Sequence, residues 1–239
     1  MNLTFATLNP NQVPVLLGGE PASMRSWMER WEAGRLLLYG AVIVVGAGLF
    51  GAATGWWRAP LQALYTAIKL PLIILLTTLG NGLLNAMLAP LLGVNLGLRQ
   101  TLLAVLMSFT IAALILGALS PLLAFLVWNT PPRSLGLAPS VVSHSVLLLV
   151  QVGMVGFAGV AANVRLWQLL RQLSGNKGAA VRVLFAWLAG NLFLGSQLSW
   201  IFRPFVGSPH LPVEFLRADP FRGSFYEAVF HAARHLIFP

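Results

Sequence analysis

The amino-acid sequence predicts an all-α fold, a polytopic membrane helix bundle of about five transmembrane helices with an interfacial amphipathic helix at each end. Two observations predict it. First, 57% of the 239 residues are hydrophobic and 9% are charged, with a mean hydropathy of +0.79. Soluble domains have about 25% charged residues, because their surface faces water. Second, five long stretches contain no Lys, Arg, Asp or Glu.

These uncharged stretches mark the predicted spans. They are Leu36–Trp57, Leu70–Leu98, Gln100–Pro132, Ser134–Val164 and Val183–Phe202. Each reaches the length of about 20 apolar residues that a helix needs to cross the hydrocarbon layer. We expect one crossing per stretch. A helix break or re-entrant piece is an alternative in the second stretch, near residues 80–82 and Pro90, and in the third, at Ser120-Pro121.

The first segment of the chain, residues 1–33, combines a polar leader with an amphipathic pattern. After Pro21, apolar residues recur at helical spacing at Met24, Trp27, Met28 and Trp31. This pattern predicts a helix that lies in the headgroup layer with its tryptophans at the interface. An ordinary helix packed on the bundle is the alternative. No early basic region precedes an apolar stretch here, so we expect no signal peptide.

The transmembrane domain is predicted over residues 34–202, and the C-terminal segment over residues 203–239. Residues 203–212 contain three prolines and a glycine, which indicates a loop. A second interfacial helix is predicted after it, with an apolar stripe of Phe225, Val229, Ala233 and Leu236, flanked by Tyr226, Phe230 and Ile237. Charged and histidine side chains, Glu227, His231, Arg234 and His235, take the opposite face.

Basic residues are nearly balanced between the two sides of the membrane. Arg58 and Lys69 fall in the predicted first loop, whereas Arg165, Arg171, Lys177 and Arg182 fall in the fourth. This fourth loop favours a cytoplasmic N-terminus, since basic residues accumulate on the inner side. The net charge of +9 does not indicate nucleic-acid binding, because the basic residues stand singly at the edges of apolar stretches.

Acidic residues are absent between Glu32 and Glu214. Proton relays and many cation-coupled transporters need carboxylates within the membrane, and hard metal ions need oxygen ligands. The chain has no cysteine either, which excludes thiolate-bound metal sites. We therefore expect no catalytic residues, no metal and no cofactor.

Five polar side chains in the spans form a candidate polar cluster: Asn81, Asn85, His144, Gln151 and Asn191. Amides in spanning helices commonly bond one helix to another, for about 0.6 kcal/mol each. The alternative is a polar cavity for a neutral or anionic solute. His144 is the sole histidine of the spans, and it could contact a pigment or quinone or simply bond a neighbouring polar group.

Arg203 stands where the fifth span ends, and it is a candidate contact for a lipid phosphate or a partner's carboxylate. A snorkelling anchor is the alternative. Small residues form two ridges, Ala47, Gly51 and Gly55 in the first span and Gly153, Gly156 and Gly159 in the fourth. Both would let another helix approach closely, from this chain or from a second copy.

Three segments carry a family resemblance: residues 67–77 (Ala-Ile-Lys-Leu-Pro-Leu-Ile-Ile-Leu-Leu-Thr), 98–101 (Leu-Arg-Gln-Thr) and 202–209 (Phe-Arg-Pro-Phe-Val-Gly-Ser-Pro). They resemble bacterial membrane proteins related to the Yip1 superfamily, over nearly the whole chain from residue 20 onward. The resemblance implies five membrane helices, a cytoplasmic N-terminus, a location in the bacterial cytoplasmic (inner) membrane and no known enzymatic activity. It brings no catalytic residues with it.

The sequence thus favours a non-enzymatic scaffold or accessory subunit of a membrane assembly. Its expected partners are membrane lipid and other membrane protein subunits or a second copy, and no nucleic acid. A small channel or carrier built around the candidate polar cluster is the main alternative. A pigment- or quinone-contacting subunit that uses His144 comes next, and a lipid-modifying enzyme comes last.

Overall fold

The structure, a computed structural model, describes residues 14–15, 26, 32–131, 137–208 and 210–237. The helices of these residues are α1 (Ala33–Trp56), α2 (Pro60–Leu91), α3 (Leu98–Asn129), α4 (Leu137–Ser174), α5 (Lys177–Ile201) and α6 (Phe225–Ile237), and no strand occurs among the described residues. The first five helices are long and apolar enough to cross a membrane. The predicted all-α bundle with five spans is confirmed, and the chain is a multi-pass membrane protein.

The second helix differs most from its prediction. We expected a loop up to Lys69 and a span from Leu70, whereas α2 begins at Pro60 and contains Lys69 well inside it. A lysine marks the end of a span when its ammonium group faces water, but Lys69 is fully buried in protein. Pro60 starts the helix, where its missing N–H has no bond to lose.

The other helices follow their predictions with shifted ends. α4 extends to Ser174, so Arg165 and Arg171 lie inside it and do not belong to the fourth loop. α3 continues through Pro121 to Asn129, whereas α2 runs unbroken through residues 80–82 and ends at Leu91, one residue after Pro90. Neighbouring helices can compensate for the hydrogen bond that an intrahelical proline removes. α2 and α3 are therefore each one unbroken helix.

Of the two predicted interfacial helices, the one after Pro21 lies outside the described residues except at Ser26 and Glu32. The C-terminal one is present as α6. Its Ala232 is buried, and Phe225 and Val229 are partly buried on the same side. The large flanking side chains Tyr226, Phe230 and Ile237 are exposed.

The contacts of the chain divide it into two compact units. The first unit comprises Met1–Ile43, Ile74–Ala113 and Ala158–Leu194, and the second comprises Val44–Ile73, Leu114–Phe157 and Gly195–Pro239. Each spanning helix thus contributes one part to each unit. The two units differ in how they satisfy their buried polar groups, and we describe each separately.

In the second unit, glycines bring helix backbones into direct contact. A Cβ atom built on Gly51 of α1 would collide with the carbonyl oxygen of Thr66, and one on Gly55 would lie 2.5 Å from that of Gln62. A Cβ on Gly117 of α3 would lie 3.0 Å from the Cα of Gly46. The ridge predicted on α1 therefore serves the packing of α1 on α2 within one chain.

The glycine ridge of α4 has different surroundings. A Cβ atom added at Gly153, Gly156 or Gly159 would meet nothing within 4 Å. The large side chains beside the ridge, Phe157 and Val160, are 63% and 66% exposed. This face of α4 is therefore not used in packing among the described residues.

The two ridges allow a matched test of packing. We expect Gly51→Ala to destabilise the protein by about 1–3 kcal/mol, the usual cost of overpacking, because its methyl group meets α2 backbone. Gly156→Ala adds the same methyl group in open space and should stabilise by up to about 1 kcal/mol. The thermal midpoint in mild detergent, followed by the fluorescence of the eight tryptophans, compares them. Equal midpoints for both variants would contradict the packing described above.

Candidate functional site

Four donor side chains around the start of α2 bind the chain that follows α5. We call Arg58, Gln62, Thr66 and Lys69 the tail-binding residues, and residues 203–237 the tail. Arg58 stands just before α2, and the other three follow at intervals of four and three residues, which brings them to one side of the helix. Gln62, Thr66 and Lys69 are each 0% exposed.

The carbonyl oxygens of Pro204 and Phe205 are the acceptors. The Gln62 Nε2 group donates to both, at 2.8 and 3.0 Å. The Lys69 Nζ group donates to the Pro204 oxygen at 3.0 Å, and the Thr66 hydroxyl lies 2.9 Å from the Phe205 oxygen. The peptide bond between Arg203 and Pro204 is cis. These contacts supply donors to carbonyl groups that lie beyond the end of α5 and so lack partners within a helix.

Arg58 holds the next part of the tail. Its Nε donates to the carbonyl oxygen of Ser208 at 3.1 Å, and its Nη2 donates to that of Leu211 at 3.0 Å. Gly207, between these acceptors and Phe205, has a φ of +89°, and a Cβ there would lie 2.6 Å from the Arg58 Cγ. Only glycine fits this position, because both the backbone conformation and the contact exclude a side chain.

The ammonium group of Lys69 has an aromatic environment. Nζ lies 4.9 Å from the ring centre of Phe215 and 5.9 Å from that of Tyr65. The two rings meet edge to face, with their centres 5.3 Å apart. Among the described residues no carboxylate forms an ion pair with Lys69. A backbone carbonyl and two ring faces therefore stabilise this charge.

Arg203 organises the remainder of the tail through backbone oxygens. Its guanidinium donates to four carbonyl oxygens, those of Trp200, Asp219, Pro220 and Arg222, at 2.7 to 3.2 Å. It also lies over the ring of Trp200, whose Nε1 donates to the Arg222 oxygen at 2.9 Å. Partial burial lowers the pKa of Arg203 and nearby Arg217 lowers it further, while Asp219 raises it.

The residues of the candidate polar cluster do not all have the same neighbours. Asn81 Nδ2 donates to Asn191 Oδ1, which joins α2 to α5 in the first unit. Asn85 lies one turn further along α2, and a Cβ on Gly190 would lie 3.1 Å from Asn81 Oδ1 and 3.9 Å from Asn85 Oδ1. The three asparagines therefore form one group around Gly190.

His144 and Gln151 belong to the second unit. The His144 ring is partly buried, with its centre 6.3 Å from that of Trp57. Gln151 is 9% exposed. No group of three or more His, Cys, Asp or Glu side chains suited to a metal ion occurs among the described residues.

Sequence reasoning missed most of the groups that organise these two sites. The tail-binding residues carried a usable signal, since Gln62, Thr66 and Lys69 recur at helical spacing in an otherwise apolar helix. Lys69 was instead interpreted as a loop residue. Gly190 carried no such signal, because glycine is common in membrane helices.

Comparisons with known proteins add no relative. No family model, no curated protein and no solved structure matches this chain. The resemblance to the Yip1 superfamily therefore stays a prediction.

Removing one donor from the tail-binding residues tests their role. We expect Gln62→Leu to weaken tail docking by about 1–3 kcal/mol, because the buried Pro204 oxygen and the partly buried Phe205 oxygen lose a donor. A loss of about 1.4 kcal/mol raises the undocked fraction about tenfold. The readout is the rate of tryptic cleavage at exposed Arg222. Gln197→Leu, at a partly buried position of α5, is the control. Cleavage as slow in Gln62→Leu as in the control would refute the docking role.

Proposed function

We propose that this protein is a non-enzymatic scaffold or accessory subunit of a membrane assembly, and that its tail is the part that contacts partners. The observation that carries the proposal is the fixed position of the tail. Arg58, Lys69 and Arg203 all donate to backbone carbonyl oxygens of residues 204–222. Their acceptors are backbone oxygens, so apart from Arg203 itself these bonds occupy no tail side chain, which leaves exposed ones such as Phe221 available for contacts with other molecules.

Several large apolar side chains of the tail are exposed. Phe221 is 81% exposed and Phe230 is 65% exposed, and Leu216, Tyr226 and Ile237 are exposed as well. Contiguous exposed apolar surface is typical of interaction sites. Exposed Arg222 and Arg234 stand among these residues. Apolar side chains with basic neighbours suit both the headgroup layer and another membrane protein subunit.

The cellular setting follows from the resemblance to Yip1-type proteins. On that basis we propose a location in the cytoplasmic membrane of a bacterium and a role without enzymatic activity. The partners proposed are membrane lipid together with other membrane protein subunits or a second copy. No part of this function involves nucleic acid.

Co-purification tests the scaffold function. We expect stoichiometric partner subunits to remain with the tagged full-length protein in gentle detergent. We expect the double variant Tyr226→Ser/Phe230→Ser to retain at most about one tenth of the partner subunits, because removing an aromatic anchor costs about 2 kcal/mol or more of binding free energy. Phe125→Ser/Trp128→Ser, at exposed positions of α3, is the matched control and should keep them. Mass spectrometry of the eluates is the measurement. A solitary wild-type protein, or equal retention by both double variants, would contradict the proposal.

A small channel or carrier for a neutral solute is the second candidate. It is favoured by the buried amide of Asn85. This side chain is 1% exposed, and neither end of its amide has a hydrogen-bond partner among the described residues. Polar groups without partners inside a membrane protein are expensive and commonly mark a solute pathway.

Flux into proteoliposomes tests this second candidate. If the asparagines line a pathway, Asn81→Leu/Asn85→Leu should reduce glycerol flux to that of protein-free liposomes. Asn129→Leu, at the end of α3, should keep wild-type flux, because the Asn129 amide donates to the Phe125 oxygen of its own helix. The measurement is light scattering after rapid mixing. Flux unchanged by the double variant would eliminate the pathway.

A further inference from the structure

Buried polar atoms without partners are unevenly distributed between the two units. Among the described residues, the side-chain atoms without a hydrogen bond include Tyr39 OH, Thr77 Oγ1, Asn81 Oδ1, Asn85 Oδ1, Asn85 Nδ2, Thr101 Oγ1, Asn163 Oδ1 and Trp187 Nε1, all in the first unit. In the second unit the sole such atom of the described residues is Gln62 Oε1. The first unit therefore holds polar groups that its own side chains do not satisfy.

Three of these atoms belong to one group of residues on α2 and α5. We call Asn81, Asn85, Gly190 and Asn191 the asparagine site. Asn81 and Asn85 are one turn apart on α2, and Gly190 and Asn191 are neighbours on α5. Asn81 is 0% exposed and Asn85 is 1% exposed.

Gly190 fixes how closely the two helices meet at this site. A Cβ atom at this position would contact Asn81 Oδ1 at 3.1 Å and approach Asn85 Oδ1 at 3.9 Å. The two amide oxygens therefore lie around one common point beside the α5 backbone. Neither of them accepts a hydrogen bond from the described residues.

The unused hydrogen-bonding capacity of the site has a definite composition. It comprises two acceptors, Asn81 Oδ1 and Asn85 Oδ1, and one donor group, Asn85 Nδ2. Exchanging the ends of the Asn85 amide changes nothing in this list, because both ends lack partners. The site contains no charged residue, and a charged ligand would lose its solvation there without compensation.

From these observations we propose that the asparagine site binds a small neutral hydroxyl-bearing molecule, either water or a polyol of the size of glycerol. A hydroxyl group donates to an amide oxygen and accepts from an N–H, so it matches both kinds of unused group. Bound water in proteins has this role at buried polar groups. The inference deepens the carrier function by naming its ligand, and it does not rest on the scaffold function.

Nuclear magnetic resonance of the full-length protein in lipid nanodiscs, with ¹⁵N-labelled side-chain amides, tests the proposal directly. We expect the Asn85 amide protons to show cross-relaxation with a bound water, or to shift saturably as glycerol is added. The first result identifies water and the second identifies the polyol. Exposed Asn129, whose amide donates to the Phe125 oxygen, reports contact with bulk water and is the control. Absence of both effects at Asn85 would overturn the proposal.

Thermal stability gives an independent measurement that needs no assignment of signals. With an occupied site, Asn85→Leu should lower the unfolding midpoint, since hydrogen bonds to the ligand are lost, whereas Asn129→Leu should change it little. With an empty site, Asn85→Leu removes two unsatisfied polar atoms, and the midpoint should rise. A rise would therefore overturn the proposal. Binding without glycerol flux would leave the site in place and eliminate only the carrier function.

Discussion

The satisfaction of backbone carbonyl groups after the last spanning helix is the interaction on which the second unit depends. A carbonyl oxygen that is removed from bulk water needs a hydrogen-bond donor, and here side chains of the same chain supply it. α5 ends at Ile201, and the oxygens of Pro204 and Phe205 turn towards α2. Gln62, Thr66 and Lys69 supply those donors, and because they are fully buried their polar groups are not exposed to lipid. The direction in which the tail leaves the bundle follows from these bonds.

This requirement also accounts for the charge composition. Carbonyl oxygens only accept hydrogen bonds, and an ionised carboxylate only accepts as well, so acidic residues could not hold this tail. Arg58, Lys69 and Arg203 are cationic donors, and each bonds a backbone oxygen of the tail. Residues 33 to 213 contain no Asp or Glu. This absence is consistent with buried polar side chains that serve as donors to the protein's own backbone oxygens. The positive net charge reflects internal donors as well as residues at the membrane surface.

Much of the fold could be predicted because the bilayer sets simple requirements for a span. Its thickness sets the length of the helix, and its hydrocarbon interior requires apolar side chains. The five spans and the C-terminal amphipathic helix follow from these rules. The start of α2 could not be predicted in this way, since a charged residue ends a span only if it faces water. Lys69 is buried by Phe215 and by the Pro204 carbonyl, both more than a hundred residues further along the chain. Its place in the helix therefore depends on tertiary contacts that no local pattern contains.

The sequence was sufficient to identify the asparagines of the candidate polar cluster, but it could not predict which of their amide groups have hydrogen-bond partners. Spacing along α2 puts Asn81 and Asn85 on adjacent turns, and an amide in a span is expected to bond a neighbouring helix. Asn81 does so through Asn191, whereas Asn85 has no partner among the described residues. The same helix thus carries polar groups of two kinds. The groups bonded to the tail stabilise the fold. The groups without partners would, in our proposal, gain hydrogen bonds when a ligand binds. Gln62 and Asn85 show the difference most clearly, because both are fully buried amides and only the Gln62 amide N–H group is bonded. In our proposal, hydrogen-bond satisfaction therefore separates the structural polar residues from the ligand-binding ones.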